Sequence, residues 1–187
     1  KLIPLVWDAD AIITQYAEID RGVIESLAHC KMIIKYGIGV NNIDCEAAGE
    51  KGIYVCNVPD YGVHEVSDHA VTMILSLGKK MDQLQASLRN GQWGYQSIVP
   101  IKRFAEATAG LIGFGRIPQL VCVKLQALGM KIMVYDPFVT DTVITEAGAI
   151  RASVEEICKC ADYISVHCPL TDQTKDLIGE REFGIMK

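Results

Sequence analysis

The chain has 187 residues, half of them hydrophobic and 22% charged, with 23 acidic and 18 basic residues giving a formal net charge of −5. That make-up describes a globular protein with room for a sizeable core and excludes a disordered or fibrous chain. The cations are dispersed, which argues against nucleic acid as a ligand, and no apolar run approaches the roughly 18 residues a membrane span needs.

In chain order, Ala11 to Thr14 is a short β-rich run, Asp20 caps a helical pattern that continues to about Ala28, and Lys31 to Lys35 is a second strand. The rhythm repeats with the turn Gly37-Ile38-Gly39, a helix opening near Asp44, a strand from Ile53 to Cys56 and a stop at Pro59. Strands separated by helices imply an α/β fold with parallel sheets. The longest helical pattern covers 64–89, with Val66, Ala70, Met73, Ile74, Leu77, Met81 and Leu84 recurring at three and four. It is expected to bridge two domains, 1–70 and 71–187.

After Asn90-Gly91 and an irregular stretch through Pro100, the second domain reads as a strand to Ile112, a Gly-rich turn and a helix from Arg116 to about Leu128. A strand from Lys131 to Tyr135 comes next, then a helix capped by Ser153 and a strand from Tyr163 to Val166. The seven cysteines fall mostly in apolar runs, with no C-x-x-C pair and no secretory signal. They read as reduced core thiols of a cytoplasmic protein.

The sharpest motif is Gly113-Phe114-Gly115-Arg116-Ile117-Pro118, between a predicted strand and a predicted helix, with Asp136 ending the next strand 21 residues after Gly115. Gly113 suits a tight turn, Gly115 lets backbone approach a pyrophosphate, and the free N–H groups of the new helix attract negative charge. Asp136 can accept from ribose hydroxyls and would repel a 2′-phosphate, which favours NAD over NADP. S-adenosylmethionine, which uses a similar turn, is the rival ligand. Pro118 stands where Gly or Ala is usual, but in a first helical turn its missing N–H is tolerable.

His167-Cys168-Pro169 ends the last strand beside the crevice where open α/β sheets bind ligands, and Thr174 is within reach of the same place. A strand-ending His before a proline turn is the plain alternative. Gly37 and Gly39, with Lys35 nearby, offer backbone amides for a carboxylate, or are only a turn. His64-Glu65-Val66-Ser67-Asp68-His69 is not a zinc motif, because histidines five apart diverge by about 140° on a helix. No metal is expected.

Lys35 to Asp44, Val55 to Pro59, Glu65 to Ala70, Gly110 to Ile117, Tyr135 to Pro137 and His167 to Thr171 stand in an order that resembles the D-isomer-specific 2-hydroxyacid dehydrogenase family. Gly91-Gln92-Trp93 and Val99 to Arg103 look most like its phosphoglycerate dehydrogenase and C-terminal binding protein branch. The resemblance implies two Rossmann-like domains, one flavodoxin-like and one NAD-binding, both incomplete here, in a homodimer. It implies hydride transfer between nicotinamide and a small 2-oxo or 2-hydroxy acid. By the same analogy the backbone at Ile38 and Gly39 holds the substrate carboxylate, with Lys35 and Gly37 beside it, and Ile38 also meets nicotinamide. Arg116 and Ile117 meet the pyrophosphate, Asp136 and Pro137 the ribose end, and His167, Cys168, Pro169 and Thr174 the adenosine side.

The family's catalytic Arg, Glu and His match positions beyond Lys187, so no residue here is expected to be catalytic, and the 187 residues are expected to be a fragment. The last strand would then be an exposed hydrophobic edge. Asn41 replaces a usual Asp, and Ala105-Glu106-Ala107 replaces a basic or Gly-containing lead into the fingerprint strand. The alternative reading is a non-catalytic, dimeric NAD(H)-binding regulator of the corepressor type, or an inactive fragment.

Overall fold

The computed structural model describes residues 1–187 and divides into two compact units, Lys1–Gly62 and Val63–Lys187. The helices of the long helical region fall within the second of these units. No helix is long and apolar enough to cross a membrane.

The first unit opens with a one-turn helix α1 (Ile3–Val6), then β1 (Ala11–Thr14), α2 (Arg21–Ser26), β2 (Met32–Lys35), α3 (Cys45–Glu50) and β3 (Tyr54–Cys56). The strands form one parallel sheet in the order β1-β2-β3, each reached through a helix, as parallel pairing requires. Both longer helices start on a capping aspartate: Asp20 accepts from the Val23 N–H and Asp44 from the Ala47 N–H, each at 2.9 Å. At the C-terminal end of α2, the Lys51 ammonium donates to the carbonyls of Ile24, Glu25 and the C-cap Leu27. Ile12, Ile19, Ile24, Leu27, Ile33 and Ala48 make the core between sheet and helices. Each buried Ile or Leu is worth about 1.5–3 kcal/mol of transfer free energy.

The second unit begins with α4 (Val63–Gly78) and α5 (Met81–Arg89), followed by a 3₁₀ turn at Phe104–Glu106. Next come β4 (Thr108–Ile112), α6 (Arg116–Ala127), β5 (Lys131–Tyr135), α7 (Asp141–Glu146), β6 (Ile150–Arg151), α8 (Val154–Cys160), β7 (Tyr163–Val166) and α9 (Glu180–Ile185). The sheet is parallel throughout, in the order β6-β5-β4-β7, so the chain enters at an inner strand and builds outward on both sides. From Ala109 to Ile112, β4 is buried, as a parallel strand covered on both faces must be. On one face α6 buries Pro118, Val121, Cys122 and Leu125, a stripe at helical spacing. α8 starts on a reciprocal capping box, with Ser153 Oγ accepting from the Glu156 N–H at 3.2 Å and the Glu156 carboxylate accepting from the Ser153 N–H at 2.7 Å. It lies so close to β4 that a Cβ on Gly110 would meet Ile157 Cγ2 at 2.3 Å.

The expected single helix over 64–89 is two helices. Gly78 packs where a Cβ would strike Phe104 and the Tyr163 hydroxyl, the Lys79 ammonium lies 4.6 Å over the Phe104 ring, and Lys80 turns left-handed at φ 51°. Helical hydrogen bonding stops there although the apolar period runs on. The elements α1, α7, β6 and α9 were not anticipated. The cysteines are mixed rather than mostly core: Cys30, Cys122 and Cys158 are buried, Cys168 is half-buried, and Cys45, Cys56 and Cys160 are exposed. Burial alone pushes the Cys122 thiol up to about 11. The edge expected at the last strand is present, since β7 pairs on one side only, with β4, and Val166 is exposed.

Candidate functional site

At the carboxyl end of the second sheet, where β4 passes into α6, a cavity of about 740 Å³ opens. That volume suits a cofactor-sized ligand. Gly113 makes the turn possible. Its φ of +95° is a left-handed value that other residues avoid, and a Cβ there would come within 2.9 Å of the Cys168 backbone nitrogen. Gly115 caps α6 without a side chain, and a Cβ on it would meet nothing within 4 Å, so this side of the turn is open to a ligand. The N–H groups of Gly115, Arg116 and Ile117 find no acceptor in the protein, and Pro118 at the third helical position has none to offer. The first intrahelical bond at this end is from the Gln119 N–H to the Gly115 carbonyl. Orphan donors at the helix start, aligned with its dipole, form an anion site.

Asp136 stands across the turn. Its Oδ2 accepts from the Phe114 N–H at 2.7 Å, and its Oδ1 accepts from the N–H groups of Phe138 at 2.8 Å and Val139 at 3.1 Å. An ionised carboxylate has about four acceptor sites, so one remains for a hydroxyl. The expected ribose partner is thus also the side chain that shapes the glycine turn.

His167, Cys168 and Pro169 come directly after β7 and line the same cavity, with Pro137 and Thr174. The His167 N–H donates to the Ile112 carbonyl at 2.7 Å, and its ring nitrogen is 2.9 Å from Ser165 Oγ. Burial pulls its pKa below the ordinary histidine value and favours the neutral ring. The Thr174 hydroxyl donates to the Pro169 carbonyl and accepts from the Thr171 N–H, which folds this loop back onto itself.

Arg116 and Ile117 stand apart from this set. Neither side chain lines the cavity: Arg116 is exposed, and Ile117 packs against the core, so what these residues present is backbone N–H. Sequence reasoning did not single out Phe138, Asp172, Gln173 and Leu177, which also line the cavity. Phe138, 85% exposed and directly after Asp136-Pro137, had a readable signal as an aromatic beside an acidic strand end. Arg151 had none. The β5–β6 register sets it opposite Val134, and its Nη1 donates to the Asp136 carbonyl at 2.9 Å.

In the first unit, Gly37, Ile38 and Gly39 form a bend after β2. The bend is held from behind, where Asn57 Nδ2 donates to the Ile38 carbonyl at 2.8 Å and the Val58 N–H donates to the Gly37 carbonyl at 3.0 Å. The N–H groups of Gly37, Ile38 and Gly39 have no acceptor in the protein. The Lys35 ammonium donates to the Gln15 carbonyl and to Asn42 Oδ1, so two of its three donors tie the bend to its own unit.

Comparison with known proteins gives a coherent result. A family profile described as the D-isomer specific 2-hydroxyacid dehydrogenase NAD binding domain matches residues 71–187. The chain is 36% identical over 189 residues to D-3-phosphoglycerate dehydrogenase of Methanocaldococcus jannaschii, covering 100% of this chain and 36% of that protein. It is 33% identical over 193 residues to glyoxylate reductase of Thermococcus gammatolerans, covering 58% of that protein. Among solved structures, D-lactate dehydrogenase from Aquifex aeolicus, complexed with NAD and lactic acid, superposes with a TM-score of 0.92 at 28% identity, over 99% of this chain and 56% of that one. The chain thus spans between about a third and three fifths of the length of these proteins.

Proposed function

Because the chain belongs to the D-isomer-specific 2-hydroxyacid dehydrogenase family, and residues 71–187 are its NAD binding domain, we propose that it serves an NAD-dependent oxidoreductase interconverting a small D-2-hydroxy acid and its 2-oxo acid. The observation that carries this reading is the turn Gly113-Phe114-Gly115, with the unpaired amides of α6 on one side and Asp136 on the other. The donor set fits a dinucleotide: amides and a helix dipole for the pyrophosphate, a carboxylate for ribose hydroxyls, and apolar walls from Phe138, Pro169 and Leu177 for an adenine ring. Bound NAD supplies the hydride acceptor or donor. The chain's own part is to orient it and to keep the 2′-phosphate of NADP away from Asp136.

The Gly37 to Gly39 amides in the first unit would hold the substrate carboxylate, with the remaining Lys35 donor beside them. Ile38, on the same bend, would meet nicotinamide. We assign no acid/base role to His167, whose ring is held 2.9 Å from Ser165 Oγ and whose pKa burial lowers; by family analogy the His-Cys-Pro stretch belongs to the adenosine side and the catalytic Arg, Glu and His lie elsewhere. A homodimer would bury the apolar side chains that α4 leaves exposed, Val66, Met73 and Leu77, together with Met81 and Leu88 of α5. Seven unpaired thiols suit the cytoplasm.

The test is a fluorescence titration of the protein with NADH and NADPH, with a panel of 2-oxo acids assayed on the same sample. Binding of NADH at least tenfold tighter than NADPH supports the reading, and turnover identifies the acid. Binding of S-adenosylmethionine instead of either coenzyme would overturn it.

A further inference from the structure

The cation beside the acidic end of β5 is invisible to the motif, because fifteen residues separate Arg151 from Asp136 and only the parallel pairing of β5 with β6 returns it. Its guanidinium spans the turn at the end of the strand. Nη1 donates to the Asp136 carbonyl at 2.9 Å, Nη2 donates to the Val139 carbonyl, and Nε is paired with the Asp141 carboxylate. From inside the same turn, the Asp136 carboxylate holds the Phe138 and Val139 N–H groups with one oxygen and reaches the Phe114 N–H with the other. The two side chains therefore grip one four-residue loop, Arg151 by its carbonyls and Asp136 by its amides. Through Phe114, the loop is tied to the glycine turn at the start of α6.

We propose that Arg151 is a positioning residue for the nucleotide: by fixing the 136–139 turn it keeps the Asp136 carboxylate on the Phe114 amide with one acceptor site to spare, and so supports discrimination between NAD(H) and NADP(H). The proposal rests on the nucleotide reading above. An arginine near this carboxylate would ordinarily suggest a partner for a 2′-phosphate. Here at least three of its five N–H donors are committed to carbonyls and to Asp141. The fork is what the role needs, since a lysine ammonium has the charge but lacks the planar set of donors that spans two carbonyls and a carboxylate together.

The experiment measures NADH and NADPH dissociation constants by fluorescence for wild type, Arg151→Met, Arg151→Lys and Asp141→Asn. Amide exchange of Phe114 and Leu111 is followed by NMR without coenzyme. Arg151→Met should raise the NADH constant about tenfold and lower the NADPH-to-NADH ratio at least threefold, and its Phe114 amide should exchange faster while Leu111 in β4 stays protected. Arg151→Lys should recover only part of the loss. Asp141→Asn, which leaves the two carbonyl contacts in place, should change the NADH constant less than threefold and keeps the test open if Arg151→Met does not fold. An unchanged NADH constant in the Arg151 variants would overturn the proposal. So would an equal rise for both coenzymes with Leu111 exchange accelerated, which is the signature of general loosening. If wild type binds neither coenzyme, the nucleotide reading itself fails, and the exchange of Phe114 still reports whether Arg151 holds the turn.

Discussion

The chain makes a Gly-x-Gly turn after a parallel strand twice, and the two turns are built differently. After β2, Gly37 and Gly39 keep ordinary backbone angles, the next helix waits until Cys45, and carbonyl bonds from Asn57 and Val58 hold the bend. After β4, Gly113 is left-handed, α6 starts at Arg116, and an acidic side chain from the neighbouring strand fastens the turn by its Phe114 N–H. The first arrangement leaves loose amides suited to a single carboxylate. The second adds a twelve-residue helix that starts at the cavity, with a dipole of the sign that suits a pyrophosphate. Two glycines at the same spacing thus make different surroundings, and the difference lies in whether a helix starts directly after the second one.

The sharpest way to separate the turns is a matched pair of alanines. Gly113→Ala places a Cβ in a left-handed position, at a cost of about 1–2 kcal/mol, and drives it against the Cys168 backbone. NADH affinity should fall at least a hundredfold and the melting temperature by several degrees. Gly37→Ala keeps an ordinary backbone angle and meets Lys35 Cε at 3.2 Å, a side-chain contact rather than a backbone one, so NADH affinity should fall far less, within about threefold. Equal losses in both would erase the distinction.

Asp136→Ala removes the fastening that only the second turn has and strands three backbone donors, for about 1–3 kcal/mol. NADH binding should weaken ten- to a hundredfold, and NADPH should not gain what NADH loses, because the turn itself loosens.

A smaller effect is expected at the far end of the same sheet. Burial opposes the charge on Asp162, but Lys102, Lys187 and the Thr108 N–H outweigh it and hold the carboxyl at about 2. A depressed carboxyl contributes stability that is complete above its unfolded value near 3.8 and is lost as pH falls from there towards 2. Melting curves between pH 6 and 2.5 should show wild type above Asp162→Asn by a margin that closes across that window. NADH affinity near neutral pH should hardly change, since the turn lies at the opposite end of β4. The smallest effect on coenzyme belongs to Pro118→Ala, within about twofold in NADH affinity, because the N–H it restores has no helical acceptor to compete for; trimming a ring buried in the stripe of α6 lowers the melting temperature instead.

The parallel β-α-β pattern and the glycine turn were legible because punctuation sits where the backbone changes: Asp20, Asp44 and Ser153 cap helices, Gly113 permits a turn, and Asp136 ends a strand. What escaped had no local signature. α7 is the six-residue run Asp-Thr-Val-Ile-Thr-Glu, too short and too β-branched to show a helical period, and β6 is two residues long. The break at Lys79 and Lys80 depends on Phe104, some twenty-five residues away. Lys35 looked available from sequence, but the fold commits most of it to Gln15 and Asn42. Arg151 was unreadable because only the β5–β6 register sets it beside Asp136.

That β4 is an inner strand also sets an order of assembly. It pairs with β5 through a short connection, Thr108 opposite Lys131, and with β7 through one more than twice as long, Ala109 opposite Tyr163. Closing the longer loop costs more entropy, so β4, α6 and β5 should join first, bringing the glycine turn and Asp136 together, while β7 adds His167 and Pro169 afterwards. Run backwards, the same order makes the wall of His167 and Pro169 the first part of the cavity to open and the glycine turn the last.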